Sequence, residues 1–350
     1  METPDLYDVT IIGSGPAGLY SAFYSGLRSM KTKIIEFQPK LGGKVHVYPQ
    51  KMIWDVGGLT PVTGEKLIEQ LVTQGLTFDP TVTLNEKVVK IEQNEDKIFV
   101  LYGESGQKHY SKTVIVAIGA GILKPLKLNV EGVERYEESH LHYTVKSLKQ
   151  FENKKVIISG GGNSAVDWAI ELLPYAKQVY VTYRKESLKG HEAQVELLTN
   201  SSAQCFYNTS ITKINGASDQ ESIESVELTN HLTGEVTNLP IDDVIINHGY
   251  ERDAELLNQC NLGIKQVQDY YIEGTTKSQS SVDGLYAAGD ILMYDGKVGL
   301  IAGAFQDAIN AVNKAKQYVE PEASNYAMVS SHNELFKEKN EALLKQQLMK

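Results

Sequence analysis

Cysteine is nearly absent from this chain: its 350 residues include two, Cys205 and Cys260. Their separation excludes a CxxC dithiol, and both read as small buried hydrophobes. No set of metal or iron-sulphur ligands stands out either, so no metal is expected. No apolar run is long enough to span a bilayer, and the start, with Glu2 and Asp5 and no apolar h-region, lacks the form of a secretory signal. A cytoplasmic protein without a membrane partner is therefore expected. Positive charge is not in excess; the formal net charge is −10, which argues against nucleic acid as a partner. The length suffices for two domains, each with its own core.

What the chain does have is glycine in two matching places. Val9 to Gly18 reads VTIIGSGPAG, and Val156 to Ala165 reads VIISGGGNSA. Each is an apolar strand running into glycines, followed by an apolar-periodic stretch (Leu19 to Leu27, Val166 to Leu173) that predicts a helix. Gly13 and Gly160 permit the tight turn, and Gly15 and Gly162 admit pyrophosphate to the backbone. Gly18 and Ala165 let helix and strand pack closely, which aims the helix N-terminus at the phosphates.

The two copies differ where an adenosine ribose would lie. Glu36 follows Gly13 by 23 residues, at the end of a strand predicted over Lys33 to Phe37. An acid at that distance accepts ribose hydroxyls. Arg184 follows Gly160 by 24 residues, after a strand predicted over Gln178 to Tyr183. A guanidinium can take two oxygens of a 2′-phosphate in one fork, where a carboxylate would repel it. The first site thus suits the ADP half of FAD and the second NADPH. Lys185, Lys189 and His191 follow closely enough to join a phosphate pocket; for the lysines, a solvated basic loop is the alternative.

Between these markers, Leu41 to Leu59, rich in glycine and aromatics, reads as a segment lining the first cofactor. Alternating stretches around Val82 to Val89 and Ile98 to Leu101 predict antiparallel strands, closing on a buried strand, Thr113 to Ile118, and the turn Gly119 to Gly121. The second unit begins after Lys154 and closes similarly, Asp243 to Asn247 leading to His248, Gly249 and Tyr250. Gly284 to Asp290 is then a strand ending in an acid. Gly296 to Ala315 reads as a helix with Val298, Ile301, Ala302, Phe305, Ala308 and Ile309 on one face. The fold expected is α/β, with two Rossmann-like three-layer dinucleotide-binding domains. Residues 1–121 and 281–350 form a discontinuous FAD domain, into which the NADPH domain, 122–280, is inserted. Glu334 to Lys350 reads as an exposed or partner-facing helix.

GSGPAG, Glu36, LGGK with Tyr48, the AIGAG turn, GGGNSAVDWA, YRK and GLYAAGD together resemble the thioredoxin reductase-like flavoproteins over nearly the whole chain. Within that group the resemblance is to the ferredoxin-NADP reductases. It implies FAD contacts from Ser14 and its neighbouring glycines, Glu36, Lys44 (where the family often has glutamine), Val88 and Leu123. It further implies that Tyr48 lies by the isoalloxazine, Asp290 binds the ribityl chain and Ser331 meets the flavin edge. Ordinary core is the alternative for Tyr48, and a helix cap for Asp290. The second motif implies NADPH contacts from Gly160, Gly162, Asn163, Ser164, Arg184, Lys185 and Lys189. Thioredoxin reductases carry a redox CxxC just ahead of the second glycine motif, where this chain has His140 to Lys146; without it, disulfide reduction has no relay.

The activity implied is ferredoxin-NADP(+) reductase, with ferredoxin or flavodoxin as partner and a homodimer in which the C-terminal segment covers the flavin of the second subunit. The chemistry belongs to the flavin, so no catalytic side chain is expected, and none is assigned to His332. Backbone amides near Val298 to Ile301 would face the pyrimidine edge. Hinges between the domains are expected near Gly119 to Lys127 and Gln279 to Asp283, and Lys44, Lys51, Lys337 and Lys339 could meet an acidic ferredoxin. Two alternatives remain. One is an NADPH-dependent diaphorase or oxidase reducing quinone, free flavin or oxygen. The other is a flavin-bound regulatory protein without turnover, against which Arg184 and the intact second motif argue.

Overall fold

A computed structural model describes residues 5–119, 121, 124–137, 139–218, 221–251, 255–325 and 329–348. The chain divides into two compact units, residues 1–122 with 252–350, and residues 123–251. No helix among the described residues is long and apolar enough to cross a membrane.

The first unit is built on a seven-stranded sheet. Its parallel part places Thr81–Thr83, Thr32–Ile35, Leu6–Ile12 and Lys108–Val116 side by side. Lys108–Val116 is long enough to serve two neighbours. Its first half pairs antiparallel with Phe99–Gly103, which continues to Val88–Gln93, and its last three residues pair parallel with Leu285–Ala287. The period-2 alternation of the strands sorts the core. Val9, Ile11 and Ile115 face the helices Pro16–Leu27 and Ile301–Val319, whereas Ile12, Val114 and Val116 face the antiparallel layer. Burial of each such side chain contributes about 1.5 to 3 kcal/mol, so both faces are firmly specified.

The second unit repeats the plan. Gln204–Tyr207, Gln178–Tyr183, Lys155–Ser159, Asp243–Ile246 and Leu141–His142 form a wholly parallel five-stranded sheet. Val156 and Ile158 pack under the helix Asn163–Leu172, while Ile157 packs toward an antiparallel meander of Thr209–Gly216, Ile223–Asn230 and Val236–Pro240.

Three expectations need correction. The chain re-enters the first unit at 252, not 281. Residues 255–293 bury Leu256, Leu257, Ile264, Tyr270 and Ile272 against Ile91 and Phe99 of the first unit. Gln279 to Asp283 therefore lies inside that unit, its Gln279 bridged to Tyr286, and is not a crossing. Second, Thr81–Thr83 is a parallel edge strand separate from Val88–Gln93, not part of one antiparallel stretch. Third, the helix expected from Gly296 begins at Ile301. Gly296 sits at φ +81°, outside helical geometry. The buried face of that helix is Ala304, Ala308, Ala311, Val312 and Ala315 together with Asp307, and Val298 is 51% exposed.

Candidate functional site

The first glycine turn is fixed by sterics. Gly13 has φ +99°, and a Cβ there would meet the Ala117 carbonyl oxygen at 2.5 Å. A Cβ on Gly18 would overlap the Gly13 carbonyl. Gly15 caps the helix Pro16–Leu27 with no side-chain hydrogen bond, and no acid stands in the first turn. Its leading amides are therefore available to an anion. The Leu41 to Leu59 segment closes against this turn. Gly42 N donates to Ser14 O at 3.0 Å, and Gly43, at φ +62°, lies so near Gly15 that a Cβ would be 2.6 Å from its Cα.

Glu36 lies just beyond Thr32–Ile35 and is only 7% exposed. Ser14 donates to Glu36 Oε2 through its amide at 2.8 Å and its hydroxyl at 2.6 Å, and Gln38 N donates to Oε1 at 2.8 Å. A carboxylate offers about four acceptor positions, so one remains for a ribose hydroxyl. Ser14 commits both donors to Glu36, and what it offers a cofactor is the placement of that carboxylate. A buried acid held ready by three donors fits an adenosine ribose.

Gly289, at φ +79°, brings its turn against Ala17 in the first turn of Pro16–Leu27. This puts Asp290, which is exposed, beside the glycine turn. Asp290 does not cap the next α-helix, whose N-cap is Leu300, ten residues later, with no side-chain hydrogen bond. Burial raises the Tyr48 phenol above its usual range, and the nearby carboxylates of Asp290 and Asp55 add to the shift. Tyr48 and Asp290 thus share one neighbourhood. Val88 is buried at the start of its strand, and Lys44 is exposed beside Gly43. Leu123 lies outside the described residues. Ser331 is not brought to this turn. Asn333, two residues on, donates to Leu27 O at 3.4 Å, at the opposite end of Pro16–Leu27, about 16 Å away by helical rise.

In the second turn Gly160 has φ +151°, and its amide donates to Thr182 O at 3.0 Å. Gly162 caps Asn163–Leu172 without a side-chain bond and has open space before it. Gly162, Asn163 and Ser164 are all exposed, and the first helical turn holds no acid. The basic loop folds over this turn. Lys189 N donates to Gly161 O at 2.6 Å, and His191 N donates to Asn163 Oδ1 at 2.9 Å. Arg184 and Lys185 are exposed directly after Gln178–Tyr183. An uncapped helix start with a guanidinium and ammonium groups around it fits a phosphorylated dinucleotide.

The sequence profile of the pyridine nucleotide-disulphide oxidoreductases matches residues 7–315. The chain belongs to that family. Similar relatives include "Ferredoxin--NADP reductase 1" of Bacillus mycoides (strain KBAB4), 68% identical over 348 residues, covering 99% of this chain and 100% of that protein. "Ferredoxin--NADP reductase 2" of Exiguobacterium sibiricum is 65% identical, covering 99% and 98%. Among solved structures, the thioredoxin reductase of Lactococcus lactis aligns with a TM-score of 0.75 at 26% identity, covering 89% of this chain and 99% of that one.

The CxxC that thioredoxin reductases carry ahead of the second glycine motif has no counterpart in His140 to Lys146. Leu141–His142 forms the sheet edge beside Asp243–Ile246, where His142 Nε2 lies 2.8 Å from Asp243 Oδ1. Burial raises both cysteine thiols above the usual range, and neither is disulfide-bonded. They are half-buried, not fully so.

Sequence reasoning missed two groups in this family member. His248 Nε2 lies 2.8 Å from Ser159 Oγ, next to the Gly160 turn. Protein packed around this imidazole holds its pKa below the ordinary value, and the positive Arg184 acts in the same direction. The second group is the carboxylate of Asp307, with Tyr294, Lys297 and the Gly289 amide around it. Its signal in the sequence was faint: one acid among the alanines of a helix.

Proposed function

We propose that the protein is an NADPH-dependent flavoprotein that reduces ferredoxin, residues 1–122 with 252–350 holding FAD and residues 123–251 holding NADPH. The contrast between Glu36 and Arg184 carries the assignment of cofactors, and full-length relatives named ferredoxin-NADP reductase support the acceptor. Bound together, the cofactors supply hydride transfer and single-electron delivery. The chain's own work is to bind and orient them. Glu36 accepts from the FAD ribose, Asp290 from the ribityl chain, and Tyr48 packs by the ring. The amides at the start of Pro16–Leu27 and of Asn163–Leu172 take the two pyrophosphates. Lys44 and Val88 complete the FAD contacts, and Asn163, Ser164, Lys185 and Lys189 those of NADPH. No acid or base is required of a side chain.

The proposal extends to flavodoxin as a second acceptor, to a cytoplasmic setting, and to a homodimer in which Ser331 meets the partner subunit's flavin. Size-exclusion chromatography with light scattering tests the dimer.

Arg184→Ala should weaken NADPH binding by about 1.5 to 3 kcal/mol, the worth of hydrogen bonds to a charged group, and leave NADH nearly unchanged. Titration of each nucleotide checks this, and equal losses for both would remove the 2′-phosphate assignment. For the acceptor, NADPH-dependent cytochrome c reduction should be strongly stimulated by added ferredoxin. Absence of stimulation would favour the diaphorase or oxidase reading.

A further inference from the structure

We propose that Asp307 is a positioning residue of the flavin site: its carboxylate locks the turn carrying Asp290 and the segment entering the helix Ile301–Val319 into one preformed unit. The proposal rests on the reading of the first unit as the FAD half.

Asp307 is 1% exposed, on a helix face otherwise lined by alanine and valine. Oδ2 accepts from Gly289 N at 3.0 Å and pairs with the Lys297 ammonium; Oδ1 accepts from the Tyr294 hydroxyl at 3.0 Å. The side chain of Lys297 is itself only 8% exposed. Ser278 Oγ donates to the Asp307 carbonyl at 2.9 Å and anchors the helix from another side. One carboxylate therefore joins three points of the chain at 289, 294 and 297 to the helix at 307.

Stability gives no sufficient reason for this arrangement. A buried ion pair is often replaced by apolar residues at no loss, because desolvation offsets the attraction. What the pair does supply is placement. Gly289 sits in left-handed geometry at φ +79°, and tying its amide to Asp307 holds the turn that leads into Asp290. The segment after Lys297 folds onto the first helical turn so closely that a Cβ on Gly303 would overlap the Val298 carbonyl. That helix, N-capped by Leu300, has no side-chain cap, leaving its first amides to an external acceptor. Asp290 and these amides are thus two ligand-facing features on one frame, with Asp307 at its centre. Lys297 neutralises the carboxylate, so a negative charge building at the pyrimidine edge is not opposed by it.

The test is FAD titration of apoprotein, followed by the midpoint potential of the bound flavin. Asp307→Asn keeps the shape but cannot accept from Gly289 and Tyr294 together while facing Lys297. The dissociation constant should rise about tenfold, the scale of one charge-assisted hydrogen bond, and the potential should become more positive because Lys297 is left unneutralised. Adding Lys297→Met should bring the potential back toward wild type while affinity stays weak, a split that a general loss of folding would not produce. Wild-type affinity and potential in Asp307→Asn would overturn the proposal. Should Asp307→Asn fail to fold, the double variant, free of both buried charges, is read instead: weakened FAD binding there supports the proposal, and unaltered binding overturns it. Failure of the wild-type apoprotein to take up FAD would overturn the underlying reading, and this proposal with it.

Discussion

Gly18 and Ala165 hold the same position in the two glycine turns, yet the chain tolerates different side chains there. A Cβ at 18 would overlap the Gly13 carbonyl oxygen, whereas Ala165 already carries one and is 1% exposed within its core. The first turn is therefore the tighter of the two. Gly18→Ala must push the helix Pro16–Leu27 away from the turn, which moves the amides aimed at phosphate and the Ser14 donors that hold Glu36. It should lose FAD on purification and unfold at lower temperature. Ala165→Gly meets no such obstacle and should cost about 1 to 2 kcal/mol, through helix propensity and the loss of one buried methyl, with NADPH affinity retained. Flavin content by absorbance and NADPH titration separate the two outcomes; comparable damage from both substitutions would contradict the steric argument. Gly13, Glu36 and Arg184 were legible in the sequence because strand, turn and helix follow one another locally, so spacing alone places them. Asp307 was not. Its partners stand 18 and 10 residues away and meet it only when the turn and helix pack.

The helix Ile301–Val319 shows how an element can be recognised and still be misread. Val298, Ile301, Ala302, Phe305, Ala308 and Ile309 share a helical spacing, but Gly296 and Gly299 keep the first of these outside the helix. Val298 and Leu300 are about half exposed as a result. The buried stripe is the small-residue one, packing on Pro16–Leu27 through Ala22, Ala304, Ala308, Ala311 and Ala315 in a single cluster, while Ile301, Phe305 and Ile309 of the expected face pack half-buried at its margins and Val298 and Ala302 are exposed. Hydropathy favoured the bulky side chains; close approach of two helices favours alanine. Ala311, fully buried, should therefore resist enlargement. Ala311→Leu adds three carbon atoms at a fully buried helix-packing position and should cost about 1 to 3 kcal/mol, as overpacking of a close-packed core does. Denaturant titration of the apoprotein checks the loss. Ala302→Leu, at an exposed helical position, serves as the control and should leave the midpoint nearly unchanged. The same physics explains the misplaced return of the chain. Residues 255–293 form short strands and single turns with no sustained period, and their membership of the first unit is settled by long-range burial against Ile91 and Phe99.

At the scale of the whole molecule, one plan is used twice: a parallel sheet, a glycine turn at a helix start, and an antiparallel meander on the opposite face. Repetition made the fold class legible from sequence. What differs between the copies, together with what is missing, directs the chemistry. Solved thioredoxin reductases share the fold, but the stretch His140 to Lys146 here supplies the edge strand Leu141–His142, with His142 tied to Asp243, and holds no thiol. The two cysteines lie elsewhere, half-buried, with thiols pushed up by burial and Cys260 Sγ accepting a hydrogen bond from Ile91 N at 3.3 Å. A thiol held protonated is a poor nucleophile and a poor relay. The Cys205→Ser, Cys260→Ser variant should accordingly reduce ferredoxin with NADPH as the wild type does, because serine preserves the acceptor for Ile91 N and neither sulphur carries electrons. Stopped-flow reduction of the bound flavin and steady-state ferredoxin reduction report the two halves of the reaction separately. Normal flavin reduction with ferredoxin reduction abolished would mean that a cysteine lies on the outward path, and the route from flavin directly to the acceptor would have to be given up.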